Sequence, residues 1–266
     1  MKSLKTLELR LLVLILLLDV GVSKGLKVNV PNTDMGRIGA SIKNWLNILD
    51  SVPGWREWKR SHIAHVLFYD DPLPSFEVFE KEFDLDPKLE EQRNVIVLYL
   101  ELVATLDDLK QVEWYFRRYP FSGTPVSHAQ HLKFCCELYF GKFYQFKERL
   151  KKLSEAVKKL SPDHPHEFGT LIREFEKRFK QEISERNRIN HHKSFDDVTL
   201  DRIFVLGLRS KANSKHKNLL KGVYKSTSAD WAKRAKKRSA DLEVFVEVVA
   251  KMLLEGCAFL EPNTRS

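Results

Sequence analysis

An all-α helical bundle is the fold class this sequence predicts, on three observations. After Pro87, long proline-free stretches carry apolar residues at intervals of three and four, the period of a helix. One stretch, Phe143, Phe146, Leu150, Leu153, Val157 and Leu160, repeats as a heptad seam of the kind that faces other helices. No convincing alternation with period two appears after residue 90, so strands have no support there. The composition agrees: 266 residues, 43% hydrophobic, with 11 Gly and 10 Pro, describe a globular chain with a sizeable core, not a disordered or fibrous one.

The chain opens with bases and then Leu11 to Leu18 without a polar residue. Eight apolar residues fall well short of the about 20 that span a bilayer, so no membrane partner is expected. A secretory signal competes for this segment, but Glu8, Asp19 and the lack of an A-x-A-like cleavage site count against it. The expected location is cytoplasmic, with secretion the alternative if residues 1 to about 23 are removed. From 25 to 90, Pro31, Pro53, Pro72, Pro74 and Pro87 chop the chain, leaving short helical candidates at about Ile38–Leu49 and Ser75–Phe83. Residues 1–90 thus read as a less defined, mainly helical N-terminal region of unknown role, and 91–262 as the bundle.

Within the bundle the first helix runs on Val95, Leu98, Leu102, Leu106, Leu109 and Val112, with further apolar residues around much of its circumference, which suits a central position. A turn at Pro120–Pro125, containing Gly123, separates it from the helix that carries the heptad seam. Ser161 to Pro165 breaks that helix, and a third follows on Phe168, Ile172, Phe175, Phe179 and Ile183. A basic segment rich in Ser, Asn and Gly intervenes before a last helix, from about Ala229 to Leu260, on Leu242, Phe245, Val249, Met252 and Leu253.

The net charge of +9 is a residue of cancellation. Asp70 to Glu113 holds thirteen acids against four bases, net −9, whereas Arg202 to Arg238 holds twelve bases and a single acid, net +11. A basic block of this kind is either a phosphate-binding surface or a solvated face. Three cysteines, with Cys135 and Cys136 adjacent and Cys257 far off, make no disulfide framework and point to a reducing compartment.

Continuing the third helix's stripe three places beyond Ile183 reaches Arg186, a guanidinium on an inward face. Such a charge must be paired, or must face a cleft or a subunit interface, because an isolated buried charge is too unfavourable. Asn187 and His191 follow at the same helix end. These residue types suit phosphodiester cleavage without a metal. Histidine can move the proton of a ribose 2′-hydroxyl or of the leaving oxygen, and arginine can stabilise the extra charge of the transition state. An asparagine can orient either. The competing reading is an Arg186 paired with an acid on a neighbouring helix and a His191 that caps the helix.

The string Glu185-Arg186-Asn187-Arg188-Ile189-Asn190-His191 resembles the motif of HEPN domains, helical bundles in which Arg, a polar residue, a short spacer and His end a long helix. Phe195 to Ile203, with its acidic turn, resembles the helix restart that follows in such proteins. The resemblance covers at most about Glu90–Leu260. It implies a metal-independent endoribonuclease that cleaves RNA through 2′-hydroxyl attack, with Arg186, Asn187 and His191 catalytic and His192 the alternative to His191. It further implies no cofactor, a homodimer that joins two motifs, and a role as a toxin or phage-defence effector with a cognate antitoxin or regulatory protein. Beside it, the basic block, with Trp231 among Lys225, Lys233, Arg234, Lys236, Lys237 and Arg238, reads as the RNA-binding surface. A non-catalytic helical module that binds RNA or protein is the alternative.

Other constellations carry less. His128, His131, Cys135 and Cys136 are zinc-ligand types, but on a helix rich in Phe and Leu, and zinc sites rarely use adjacent cysteines this way. Asp196, Asp197 and Asp201 read as cap and first-turn residues rather than Mg²⁺ ligands. There is no P-loop, G-x-G-x-x-G or G-x-S-x-G, so nucleotide-dependent and serine-hydrolase chemistry lack support, and no metal is expected.

Overall fold

A computed structural model describes residues 33–67, 83–162, 167–191, 195, 197–210 and 214–260. Among the described residues the chain is all-α: eight helices and one 3₁₀ turn, with no strand. They form two compact units.

The first unit takes its residues from Met1–Val97, Ala156–His164 and Glu247–Ser266. Its first helix, α1 (Asp34–Leu49), starts at Thr33, whose hydroxyl accepts from the Gly36 N–H at 3.1 Å and satisfies one of the orphan donors of the first turn. Ile38, Ile42, Trp45 and Leu49 lie on its buried stripe, and the Trp45 indole N–H donates to the Gln92 side-chain oxygen at 2.8 Å. Gly54, at φ +80°, makes the turn into α2 (Trp55–Leu67), where Trp55 and Trp58 stack and Phe83 meets Trp55 edge-on. The sequence pattern gives no helix at α2, because charged residues interrupt its apolar spacing. The expected helix at Ser75–Phe83 lies outside the described residues except at Phe83, which is not helical.

The second unit comprises Leu98–Glu155 and Pro165–Val246. It holds most of α3 (Pro87–Arg117) and α4 (His128–Leu160), the whole of α5 (Phe168–Arg178), α6 (Lys180–His191) and α7 (Val198–Ser210), and most of α8 (Ser214–Gly256). Gly123, at φ +80°, lies in the α3–α4 loop, and α4 opens with a capping box in which Ser127 and Gln130 each bond the other's backbone N–H, at 2.8 and 3.2 Å. Along α4 the predicted seam is core as far as Val157, with Phe143, Phe146, Leu150, Leu153 and Val157 fully buried, while its last residue, Leu160, is half-buried. Phe146 stacks on Phe175, Phe143 meets Phe179, and Phe245 of α8 meets Phe175 edge-on, all with ring centroids 5.1–5.4 Å apart.

Two elements differ from expectation. The third helix is two, because Phe179 leaves helical geometry at φ −111°, ψ 25° and turns its ring into the core while its N–H still bonds Phe175. The last helix begins at Ser214, fifteen residues before Ala229, so the described part of the basic segment is largely helix. Its small polar residues bury without penalty: the Thr227 hydroxyl donates to the Val223 carbonyl at 2.9 Å, and that of Ser228 to the Phe116 carbonyl.

Candidate active site

The motif residues lie on α6, a short helix whose placement is fixed by one buried acid. Glu182 is 0% exposed, and its carboxylate accepts from Arg234 at 2.9 Å, from two nitrogens of Arg238 at 3.1 and 2.9 Å, and from the Tyr139 hydroxyl at 3.1 Å. Burial pushes the Glu182 carboxyl up, but the hydrogen bonds from Arg238 and Arg234 outweigh it and hold the group below the usual carboxylate range. Both guanidiniums are in turn held charged by that carboxylate, against their own burial. The clamp ties α6 to α8, and Phe179 and Ile183 add the apolar part of the contact surface of this segment.

Arg186 follows Glu182 by one helical turn, a rise of about 6 Å. It is half-buried, and its guanidinium carbon sits 3.4 Å from the centre of the Tyr144 ring. One of its nitrogens donates to the Asn187 side-chain oxygen at 3.3 Å. Among the described residues Arg186 makes no ion pair, whereas its neighbour Arg188 pairs with Glu185 at 2.8 Å on the exposed side. A guanidinium held over an aromatic face by its carbon can keep N–H groups at its edge available, and desolvation on one side strengthens their pull on an anion. Asn187 is exposed. The structure thus brings Arg186 and Asn187 together. His191 is the last residue of α6; its side chain, and the whole of His192, lie outside the described residues.

The basic block divides by helical face. Trp231, Arg234 and Arg238 point into the unit: Trp231 packs against Phe116, Tyr139, Phe140 and Phe195, Arg234 lies 5.0 Å over the Trp231 ring, and Arg238 also pairs with Asp241 at 3.4 Å. Lys225, Lys233, Lys236 and Lys237 are exposed on the opposite face of α8, spread over about 18 Å of helix.

Glu182, Tyr139 and Tyr144 carry no motif and are missed by sequence reasoning. The available signal is spacing. Phe179 plus three is Glu182, so an acid shares the inward face with Phe175 and Phe179, while Arg234 and Arg238 stand one turn apart on a later helix.

The zinc-type residues form a hydrogen-bonded relay instead. The Cys135 sulfur is 3.4 Å from His131 Nε2, and His131 Nδ1 is 2.9 Å from the Tyr224 hydroxyl. Burial raises the Cys135 thiol to about 11 and lowers the His131 imidazole, so both are neutral near pH 7. Among the described residues no group of three or more His, Cys, Asp or Glu is placed to hold a metal ion. Asp197 is the N-cap of α7, its carboxylate accepting from the Thr199 and Leu200 N–H groups at 2.8 and 3.4 Å; Asp196 lies outside the described residues. Among the described residues no helix is long and apolar enough to cross a membrane.

Comparison with known proteins finds no matching family model, no matching curated protein and no matching solved structure.

Proposed function

We propose that this chain is a metal-independent endoribonuclease of HEPN type, acting in the cytoplasm as a dimer. In this reading Arg186 stabilises the charge that develops on the phosphorus-bound oxygens, Asn187 orients the phosphate or the imidazole, and His191 moves the proton of the 2′-hydroxyl or the leaving oxygen. The observation that carries it is the Arg186 guanidinium, which lies over Tyr144, bonds Asn187 and, among the described residues, pairs with no acid. A structural arginine on an inward face should have found a carboxylate, as Arg234 and Arg238 do. Substrate RNA would be gathered by Lys225, Lys233, Lys236 and Lys237. A role as a toxin or phage-defence effector, with a cognate antitoxin or regulatory protein, goes with this reading.

The test is incubation of wild type, Arg186→Ala and His191→Ala with total RNA in EDTA. Cleavage by wild type alone, leaving 2′,3′-cyclic phosphate ends, is the expected result. Equal cleavage by all three overturns the assignment. The second reading, a non-catalytic RNA-binding module, is favoured by the four exposed lysines, which need no chemistry beside them; RNA binding by wild type without any cleavage would select it.

A further inference from the structure

Helix α7 is amphipathic in the wrong sense on one side. It buries Leu200, Ile203 and Leu206, yet Phe204 is 54% exposed, Val205 46% and Leu208 59%. Three large apolar side chains within five residues of one exposed surface mark a contact site, since scattered single ones are the norm elsewhere. Phe204 and Leu208, one turn apart, line a cleft of about 670 Å³, closed by the loop that leads into α4 and by the first turns of α8. That volume lies in the range of sites for small organic ligands.

The polar part of the lining is one-signed. Lys217 and Lys221, one turn apart on α8, both line the cleft and are both exposed, and no carboxylate is among the described residues lining it. Its other polar side chains are mostly engaged with the protein: the Ser127 hydroxyl accepts from the Gln130 N–H at 3.2 Å, and the His128 ring stacks on Tyr119. The Thr124 hydroxyl donates to the Phe121 carbonyl at 2.9 Å and that of Ser210 to the Gly207 carbonyl at 2.8 Å. Beside the two lysines the walls offer few polar groups, chiefly Ser127 and His128 on the loop side, whereas Phe204, Leu208 and Leu220 suit an apolar body.

We propose that this cleft binds a small amphiphilic anion, with an aliphatic or aromatic body against Phe204, Leu208 and Leu220 and an acidic head between the ammonium groups of Lys217 and Lys221. The head is a carboxylate, sulfonate or phosphate ester. The site uses none of the motif residues and does not depend on ribonuclease activity.

The full chain is titrated with 8-anilinonaphthalene-1-sulfonate, whose fluorescence rises in an apolar site, and the dye is then displaced with decanoate, decyl phosphate, neutral decanol or decyltrimethylammonium. Saturable dye binding is expected, with the two anions displacing it at concentrations about tenfold below decanol, as two nearby cations allow. The order of decanoate and decyl phosphate tells which head the site takes. Lys217→Gln with Lys221→Gln should weaken the anions about tenfold and flatten their salt dependence, while leaving decanol unchanged. Phe204→Ala with Leu208→Ala should abolish dye binding, and Arg186→Ala should bind as wild type does. These side chains are exposed, so far-UV circular dichroism of each variant should match wild type. Absence of saturable binding, displacement by decanol or decyltrimethylammonium as good as by decanoate, or titrations unchanged in both double variants overturns the proposal.

Discussion

Replacing Glu182 by Gln tests the clamp that seats α6. The substitution keeps the volume and removes the charge, so two guanidiniums lose their shared counter-ion while the Tyr139 hydroxyl keeps an acceptor. Removing one partner of a fully buried pair costs about 3–5 kcal/mol. Here the Arg234 and Arg238 side chains keep 30% and 23% of their exposure and can recover some hydration. A loss of about 2–3 kcal/mol is the resulting expectation, which for a chain of this size lowers Tm by roughly 5–10 °C. Urea titration at pH 7 and differential scanning calorimetry measure both. The pH dependence has a definite sign. The folded carboxyl lies below its ordinary value of 4.5, so its contribution is present above about pH 4.5 and fades as the pH falls through the folded pKa. The gap between wild type and Glu182→Gln should therefore be full at pH 7 and shrink below pH 4.5. A variant within 0.5 kcal/mol of wild type at pH 7, or a gap that widens on acidification, would refute the clamp.

Tyr144→Leu, which removes the ring under Arg186, should lower RNA cleavage roughly 2- to 30-fold, whereas Tyr144→Phe should retain it; single-turnover rates on one RNA decide. Changing Lys225, Lys233, Lys236 and Lys237 together to Gln should weaken RNA binding and reduce its salt slope by about three to four, with unfolding unaffected, whereas Arg234→Gln should mainly destabilise; filter binding at several salt concentrations and urea melts separate these. Phe146→Ala, which empties a fully buried site between Phe175 and Phe245, should cost about 3–5 kcal/mol in urea. Asp197→Ala should cost about 1 kcal/mol through loss of the α7 cap, and Asp197→Asn less.

Local patterns were legible where one periodicity governed a long stretch. The seam from Phe143 to Val157 is core because seven-residue spacing places those residues on one face whatever packs against it. The break at Phe179 was not legible, because the apolar spacing runs through it without a change of residue type; only the packing of its ring against Phe143 and Phe175 favours the departure from helical geometry. The start of α8 was missed for the opposite reason. Lys and Ser supply seven of the fifteen residues from 214 to 228 and obscure the apolar spacing, while the residues that bury the segment, Leu220, Thr227 and Ser228, are sparse and partly polar.

The site divides in the same way. Arg186 stood out because a charge broke an apolar stripe, which a single helix reveals. Which charges pair depends on two helices fifty residues apart in sequence, so Glu182 with Arg234 and Arg238 became visible only in three dimensions. That pairing also alters the meaning of the basic block. Two of its arginines serve to hold α6, and so to set the position of Arg186, while the lysines lie exposed on the far face. An arginine and a lysine drawn from one charged run thus carry different tasks: the forked, weakly hydrated guanidinium suits the buried carboxylate, and the compact, strongly hydrated ammonium suits the exposed surface.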